Sequence, residues 1–262
     1  MLKRRLVPVL YIKNGLIVRS EDFRVHQNIG NIINEAERYN EWDIDELIYV
    51  DISRDRHYDM GRDDHGVKSY NSIEEIIDRI SRVCFMPLTF GGGVRNLQDV
   101  DVRIQSGADK IIINSGAIHS PKLVEKTAEK YGAQCVVISI DYRIIEKVPV
   151  VFSDFGTKQT EWTVEAWIGK TSKLGAGEIF LNSIERDGRA NGFDIKTIKR
   201  IGHSTSLPLI ACGGAGDPYD FLDLAEQTTV SALAAGNIFH FKERAYPRIK
   251  KLLKSKHGHS FR

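Results

Sequence analysis

Eight short, continuously apolar runs rich in β-branched residues punctuate this chain, and its second half repeats its first. The runs are LVPVLYI, ELIYVDI, MPLTF, KIIIN, CVVISID, EIFLN, LPLIA and VSALAA; between them lie amphipathic stretches such as NSIEEIIDRISRV, SPKLVEKTAEKYG, WTVEAWIGKTSKLG and DIKTIKRIGHS. A run without polar alternation must bury both its faces, as parallel strands covered by helices do. The segment SIEEIIDRISRVCFMPLTFGGGV (72–94) matches DIKTIKRIGHSTSLPLIACGGAG (194–216), and setting Gly91 on Gly213 gives an offset of 213 − 91 = 122. DELIYVDISRD (45–55) similarly matches GEIFLNSIERD (177–187), and Tyr11 in LVPVLYIKNG falls where Asp141 falls in VVISIDYRI. Two four-strand halves close as an α/β architecture, a (β/α)8 or TIM barrel with a two-fold half-barrel repeat. An open doubly wound sheet does not account for a half-length repeat.

The 262 residues match the size of one such barrel, and no linker interrupts them. A single barrel domain is expected over 1–262, ending in a helix end and a solvated basic tail in KKLLKSKHGHSFR. A formal charge of +2 is too small to imply nucleic acid. No apolar run reaches the ~20 residues of a membrane span, and MLKRRLVPVLYIK turns polar too soon for a signal peptide, so a cytoplasmic protein without a membrane partner is expected. Cys84, Cys135 and Cys212 lack CxxC spacing and read as small core residues rather than disulfide or zinc partners.

In barrels of this kind the loops after the strands build the active site. FGGGVRN after the third strand and CGGAGDP after the seventh are glycine-rich turns whose backbone N–H groups can cradle an anion, involving Gly92, Gly93, Gly213 and Gly214. Asn114 and Ser115 after the fourth strand, and Ala235 and Gly236 after the eighth, supply neighbours small enough for the same purpose. The pattern points to a ligand with a phosphate at each end; tight turns without a ligand are the alternative. Asp51, Asp141 and Asp187 stand at other strand ends as candidate acids or bases, or as ordinary loop caps. At the opposite ends Arg5, Glu46, Lys110 and Glu178 could form a ring across the barrel floor or remain unconnected surface charges. His57, Asp59, Asp63, Asp64 and His65 have no diagnostic metal-ligand spacing and read as a solvated loop; neither a metal nor a cofactor is expected.

DELIYVDI, FGGGV, GADKIIIN, GAGEIFLNSIERDG and ACGGAG together resemble, nearly end to end, the cyclase subunit of imidazole glycerol phosphate synthase, the HisF family. The resemblance implies a barrel that pairs with a glutaminase as a heterodimer at its floor, admits ammonia, and delivers it to a two-phosphate ribosyl substrate at the mouth. By the same resemblance Arg5, Glu46, Lys110 and Glu178 are the ammonia gate and Asp109 faces the glutaminase. Gly93, Asn114, Asp187, Gly188, Gly214 and Gly236 are implied to hold the phosphates or sugar. The departures lie at the mouth: the family's carboxylate on strand 1 is Tyr11, a nearby cysteine is Val9, the mobile-loop lysine is Arg19 and a phosphate-site serine is Phe155. The loop SRDRHYDMGRDDHGVKS (53–69) is also longer than the family pattern by about eleven residues.

A tyrosine, with a reference pKa near ~10, cannot accept a proton at neutral pH as an aspartate does. Losing one member of an acid/base pair costs ~10²–10⁴ in rate. Impaired cyclase chemistry is therefore expected unless Asp51, or a residue of the long loop 53–69, substitutes. Three readings follow: a paralogue diverged towards surface-sugar (O-antigen type) biosynthesis, feeding ammonia to a separate sugar amidotransferase; a genuine cyclase that tolerates Tyr11; and a non-catalytic glutaminase activator.

Overall fold

The structure is a computed structural model that describes residues 3–54, 58, 69–242 and 244–262. Eight strands, β1 (Arg5–Lys13), β2 (Leu47–Asp51), β3 (Leu88–Gly91), β4 (Lys110–Ile113), β5 (Val136–Ile145), β6 (Glu178–Ser183), β7 (Leu209–Cys212) and β8 (Ala232–Ala235), pair in chain order. Every neighbouring pair is parallel, and β8 against β1 closes the cylinder. Helices lie between the strands; that over Ile73–Val83 starts on Ser72, whose hydroxyl accepts from Glu75 N, and that over Ile195–Ser204 starts on Asp194, which accepts from Thr197 N. This is the (β/α)8 barrel expected from the eight runs.

Two apolar shells follow from the strand period of two. Val7, Val9, Ile48, Ile112, Val137, Phe180, Ile210, Ala232 and Ala234 pack inside the cylinder, whereas Leu6, Leu10, Ile12, Leu47, Tyr49, Ile111 and Ile113 pack outward against helices. The inward parity fixes what reaches each end. Along β1 the inner column is Arg5, Val7, Val9, Tyr11; along β6 it is Glu178, Phe180, Asn182; along β4 it runs Lys110, Ile112 and on to Asn114. Charge at the floor, apolar packing in the middle and polar groups at the mouth thus come from one alternation. Glu46 and Asp51 are five residues apart, an odd interval, so they do not share a face.

The two-fold repeat extends to segments that periodicity did not separate from the barrel strands. After β1 the chain adds antiparallel strands Leu16–Glu21 and Val25–Gly30, and after β5 it adds Val148–Ser153 and Lys158–Thr163. Tyr11 pairs with Val50 and Val18, as Asp141 pairs with Asn182 and Phe152, so the two residues are structural equivalents. The repeat offset needs correction at the glycine turns. The helix caps Ser72 and Asp194 are 122 apart, but strands β3 and β7 begin 209 − 88 = 121 apart, because the first helix has 11 residues and the second 10. Gly92, not Gly91, is therefore the mate of Gly213.

Two further expectations are refined. The basic residues of the tail, Lys254, Lys256 and Arg262, are exposed, but its end is anchored: Phe261 is 2% exposed, and the chain returns to β1 through Arg4 N→Ser260 O (2.7 Å) and Arg262 N→Arg4 O (3.1 Å). Burial of one phenyl ring outweighs the polarity around it. Of the cysteines only Cys212 is buried; Cys84 and Cys135 are half-buried because they sit at element ends rather than inside elements.

Gly92 has φ +96° and an added Cβ would lie 1.9 Å from the Asp51 carbonyl oxygen, whereas Gly93 has φ +62° and only the Arg103 guanidinium, 3.4 Å away, nearby. Gly92→Ala should therefore destabilise by on the order of 3 kcal/mol or more, and Gly93→Ala by about 1 kcal/mol, the left-handed backbone cost alone. Urea melts of the two variants check this; equal losses contradict it.

Candidate functional site

At the floor, Arg5, Glu46, Lys110 and Glu178 close into one ring. The Arg5 guanidinium donates to both Glu46 and Glu178, and Lys110 Nζ lies 3.0 Å from Glu46 Oε1 and 2.9 Å from Glu178 Oε2. Thr89 Oγ1 adds a bond to Glu46 Oε1 at 2.8 Å. Arg5, Glu46 and Glu178 are buried. Burial works against the charge on Glu46, but Arg5, Lys110 and Thr89 outweigh it and hold the carboxyl below its usual range. Arg5 is likewise raised, because the two carboxylates outweigh its desolvation. Asp109, next to Lys110, is exposed on this end and accepts from Leu88 N at 2.8 Å.

At the mouth two clefts meet at Tyr11, the one described residue that lines both. The first, above β7 and β8, is formed by Gly213, Gly214, Ala235, Gly236 and Asn237 with Asp187, Gly188, Arg19 and Lys242. Arg19 pairs with Glu21 at 2.7 Å and stacks on Phe241, while its buried Nε finds no partner among the described residues. Asp187 accepts from Ser20 Oγ (2.6 Å) and Phe23 N (3.3 Å), tying the hairpin after β1 to the loop after β6. Lys242 and Phe241 follow the eighth strand too distantly for motif spacing to single them out.

The second cleft spreads from β2 to β6 and brings together Gly92, Gly93, Asn114, Ser115, Asp51, Asp141, Asp154 and Phe155. Asp141 accepts from Asn114 Nδ2 at 2.7 Å, and Asn182, buried on the inner face of β6, reaches the Tyr11 hydroxyl at 3.5 Å. Asn182 was not singled out from sequence, although the inner-face parity of EIFLNS contains it. Asp51 borders the cleft, but its carboxylate is occupied by Ser53 N (2.9 Å) and Tyr58 OH (2.8 Å). Burial raises it above the usual range despite those bonds. His57, Asp59, Asp63, Asp64 and His65 lie outside the described residues.

Tyr11 and Asp141 stand on strands half-way round the cylinder from each other and border the same cleft. Burial, followed by Cys212, Asp187 and Asp141 nearby, pushes the Tyr11 hydroxyl well above its ordinary value, so it is neutral at physiological pH. Burial and then Asp187 push Asp141 up to about 7, against the opposing bonds from Asn182 and Asn114. One protonatable carboxyl tuned to neutral pH thus faces a neutral phenol. Because the folded-state value exceeds the ordinary 3.8, the proton stabilises the fold below about 3.8 and that contribution is lost as pH rises through about 7. The melting temperature of Asp141→Asn relative to wild type should therefore climb between about pH 4 and about pH 8. Thermal melts across that window check this, and a constant difference contradicts it.

Comparison with known proteins places these features. The model of the histidine biosynthesis protein family matches residues 5–245. The imidazole glycerol phosphate synthase subunit HisF of Bacillus cereus is 36% identical over 255 residues, covering 97% of each chain. The HisF subunits of Geobacillus thermodenitrificans and Hydrogenobaculum are 34% identical over 258 residues and 35% over 260, covering 98% and 99% of each chain. With the closed barrel, the floor ring and the glycine turns at equivalent strand ends, these matches show that the chain belongs to the histidine biosynthesis protein family, as a HisF-like protein.

Proposed function

We propose that this chain is the acceptor-side subunit of a glutamine-dependent synthase, paired with a HisH-type glutaminase that docks on the floor near Asp109. Glutamine hydrolysis there releases ammonia, which passes the ring and the apolar interior to a phosphorylated acceptor at the mouth. The ring of Arg5, Glu46, Lys110 and Glu178 beneath the apolar column of Val7, Ile48, Ile112 and Phe180 carries this reading. Such an interior favours neutral ammonia over ammonium, whose desolvation is costly. The ring must part for passage, and Lys110, the most exposed of its four side chains, is the member with room to move.

At the mouth Asp141 can give or take a proton near neutral pH, but its equivalent across the barrel cannot. Tyr11 can donate a hydrogen bond to an acceptor oxygen; it cannot serve as a base. The ring closure performed by imidazole glycerol phosphate synthase is accordingly impaired, and the ammonia serves an altered acceptor. Amidation of a nucleotide-sugar through a separate amidotransferase is one form of this divergence. A purely activating role is disfavoured by the retained glycine cradle above β7 and β8, which glutaminase activation does not require.

With a glutaminase from the same source and the two-phosphate intermediate of histidine synthesis, wild type should turn over ~10²–10⁴-fold below a HisF cyclase, and Tyr11→Asp should recover at least about tenfold. Wild-type turnover at the ordinary cyclase rate contradicts the proposal. Lys110→Met should change the ratio of glutamine-driven to free-ammonium-driven turnover; an unchanged ratio removes the ring from the ammonia route.

A further inference from the structure

A further hollow lies at the rim of the mouth, outside both clefts. It has a volume of about 190 Å³ and is lined by Asp22, Arg24, Arg143, Ile184, Glu185 and Arg189. Three parts of the chain meet there. Asp22 and Arg24 belong to the turn of the hairpin after β1, Arg143 stands two residues beyond Asp141 on β5, and the other three follow β6. Asp22 N donates to Asp187 O at 3.1 Å and so holds the hairpin against the loop after β6. The Asp22–Phe23 turn separates the hollow from the acceptor site, because Asp22 lines the hollow and Phe23 lines the second cleft.

Three arginines and two carboxylates leave the hollow a surplus charge of 3 − 2 = +1. The pairing inside it is uneven. Arg189 is matched to Asp22, with its Nε 2.8 Å from Oδ1 and a second guanidinium nitrogen on Oδ2. Arg189, followed by Arg24 and Arg143, holds the Asp22 carboxyl below its usual range, so all three cations act on one point. Among the described residues the Arg24 side chain has no hydrogen bond or ion pair, and Arg143 has only the Phe152 ring, 5.4 Å from its guanidinium carbon. Arg143 Nε is buried without an acceptor among those residues. Of the two lining carboxylates, Asp22 is spent on Arg189, which leaves Glu185 against two cations. The pair between Arg189 and Asp22 is enough to strap the hairpin down; two more guanidinium groups beside it repel each other unless an anion joins them.

We infer that this rim hollow is an anion site separate from both clefts, in which Arg24 and Arg143 together hold a phosphate dianion. Guanidinium forks match phosphate oxygens in pairs, and such charge-assisted bonds are about twice as strong as neutral ones. Two unpaired cations also match the charge of about −1.5 to −2 that a phosphate monoester carries at neutral pH. Free phosphate and a phosphate ester share this chemistry. The site stands outside the proposed acceptor clefts and is tested on the chain alone, so it can fail without the acceptor reading failing, and the reverse.

Inorganic phosphate titrated into the 15N-labelled full chain should shift, to saturation, the amides of Ile184 and Glu185 and the Nε–H of Arg143. Arg24→Gln/Arg143→Gln should weaken the response at Ile184 and Glu185 at least about tenfold, while that of Gly93 and Gly214 at the mouth stays as in wild type. Glu185→Gln, which removes the opposing carboxylate, should tighten binding. Lys251→Gln/Lys254→Gln takes the same charge from the exposed C-terminal helix and should leave binding unchanged, since distant exposed charges are screened. Methyl phosphate binding as tightly as inorganic phosphate assigns the site to an ester, and binding about tenfold weaker assigns it to the free anion. Rim signals that do not move, or equal weakening by the two double variants, overturns the inference.

Discussion

The ring of four charges under the barrel is the interaction on which the rest depends. Three of its side chains are buried and the fourth, Lys110, is partly so. Withdrawing ions from water costs several kcal/mol each, and a buried ion pair is commonly no more stable than a well-packed apolar substitute. A barrel floor needing only closure is served better by leucine and isoleucine. The ring is self-neutral, with each cation bridging both carboxylates, and this arrangement pushes Arg5 up and Glu46 down in spite of burial. Under the proposed function such a network is a selective closure with an apolar column above it.

The same alternation that turns Arg5 inward at the floor turns Tyr11 inward at the mouth, six residues and three inward positions later. Floor and mouth are therefore coupled by strand register, although their chemistry is independent. The floor retains its four charges. At the mouth one of two equivalent positions is a phenol held neutral and the other a carboxyl tuned to about 7. Under the proposed function the chain keeps the delivery of a small neutral molecule while changing what receives it.

Much of this was legible in the sequence because it rests on short-range pattern. The eight apolar runs mark the buried strands, FGGGV and ACGGAG mark turns with left-handed glycines, and the floor charges stand at four strand starts. What was not legible depends on register or on distant partners. Asp51 stands at a strand end like Asp141, yet opposite parity and the hydroxyl of Tyr58 remove its carboxylate from the acid/base geometry. The hairpins after β1 and β5 escaped because segments such as VHQNIG and KQTEWT have little apolar signal, their stability coming from pairing with the barrel extensions. Phe261 gave no local cue for its return to Arg4, and Asn182 became visible only once the inner face of β6 was known.

The most direct measurement is a double-mutant cycle on the ring, with Glu46→Gln and Lys110→Met made singly and together and unfolding free energies taken from urea melts. If the four charges are one network, removal of either partner strands the other, and the pair should show a coupling energy of about 1 kcal/mol or more. Additive losses within about 0.3 kcal/mol would mean that the floor holds separate charges rather than a ring, and the account of a selective closure would fail.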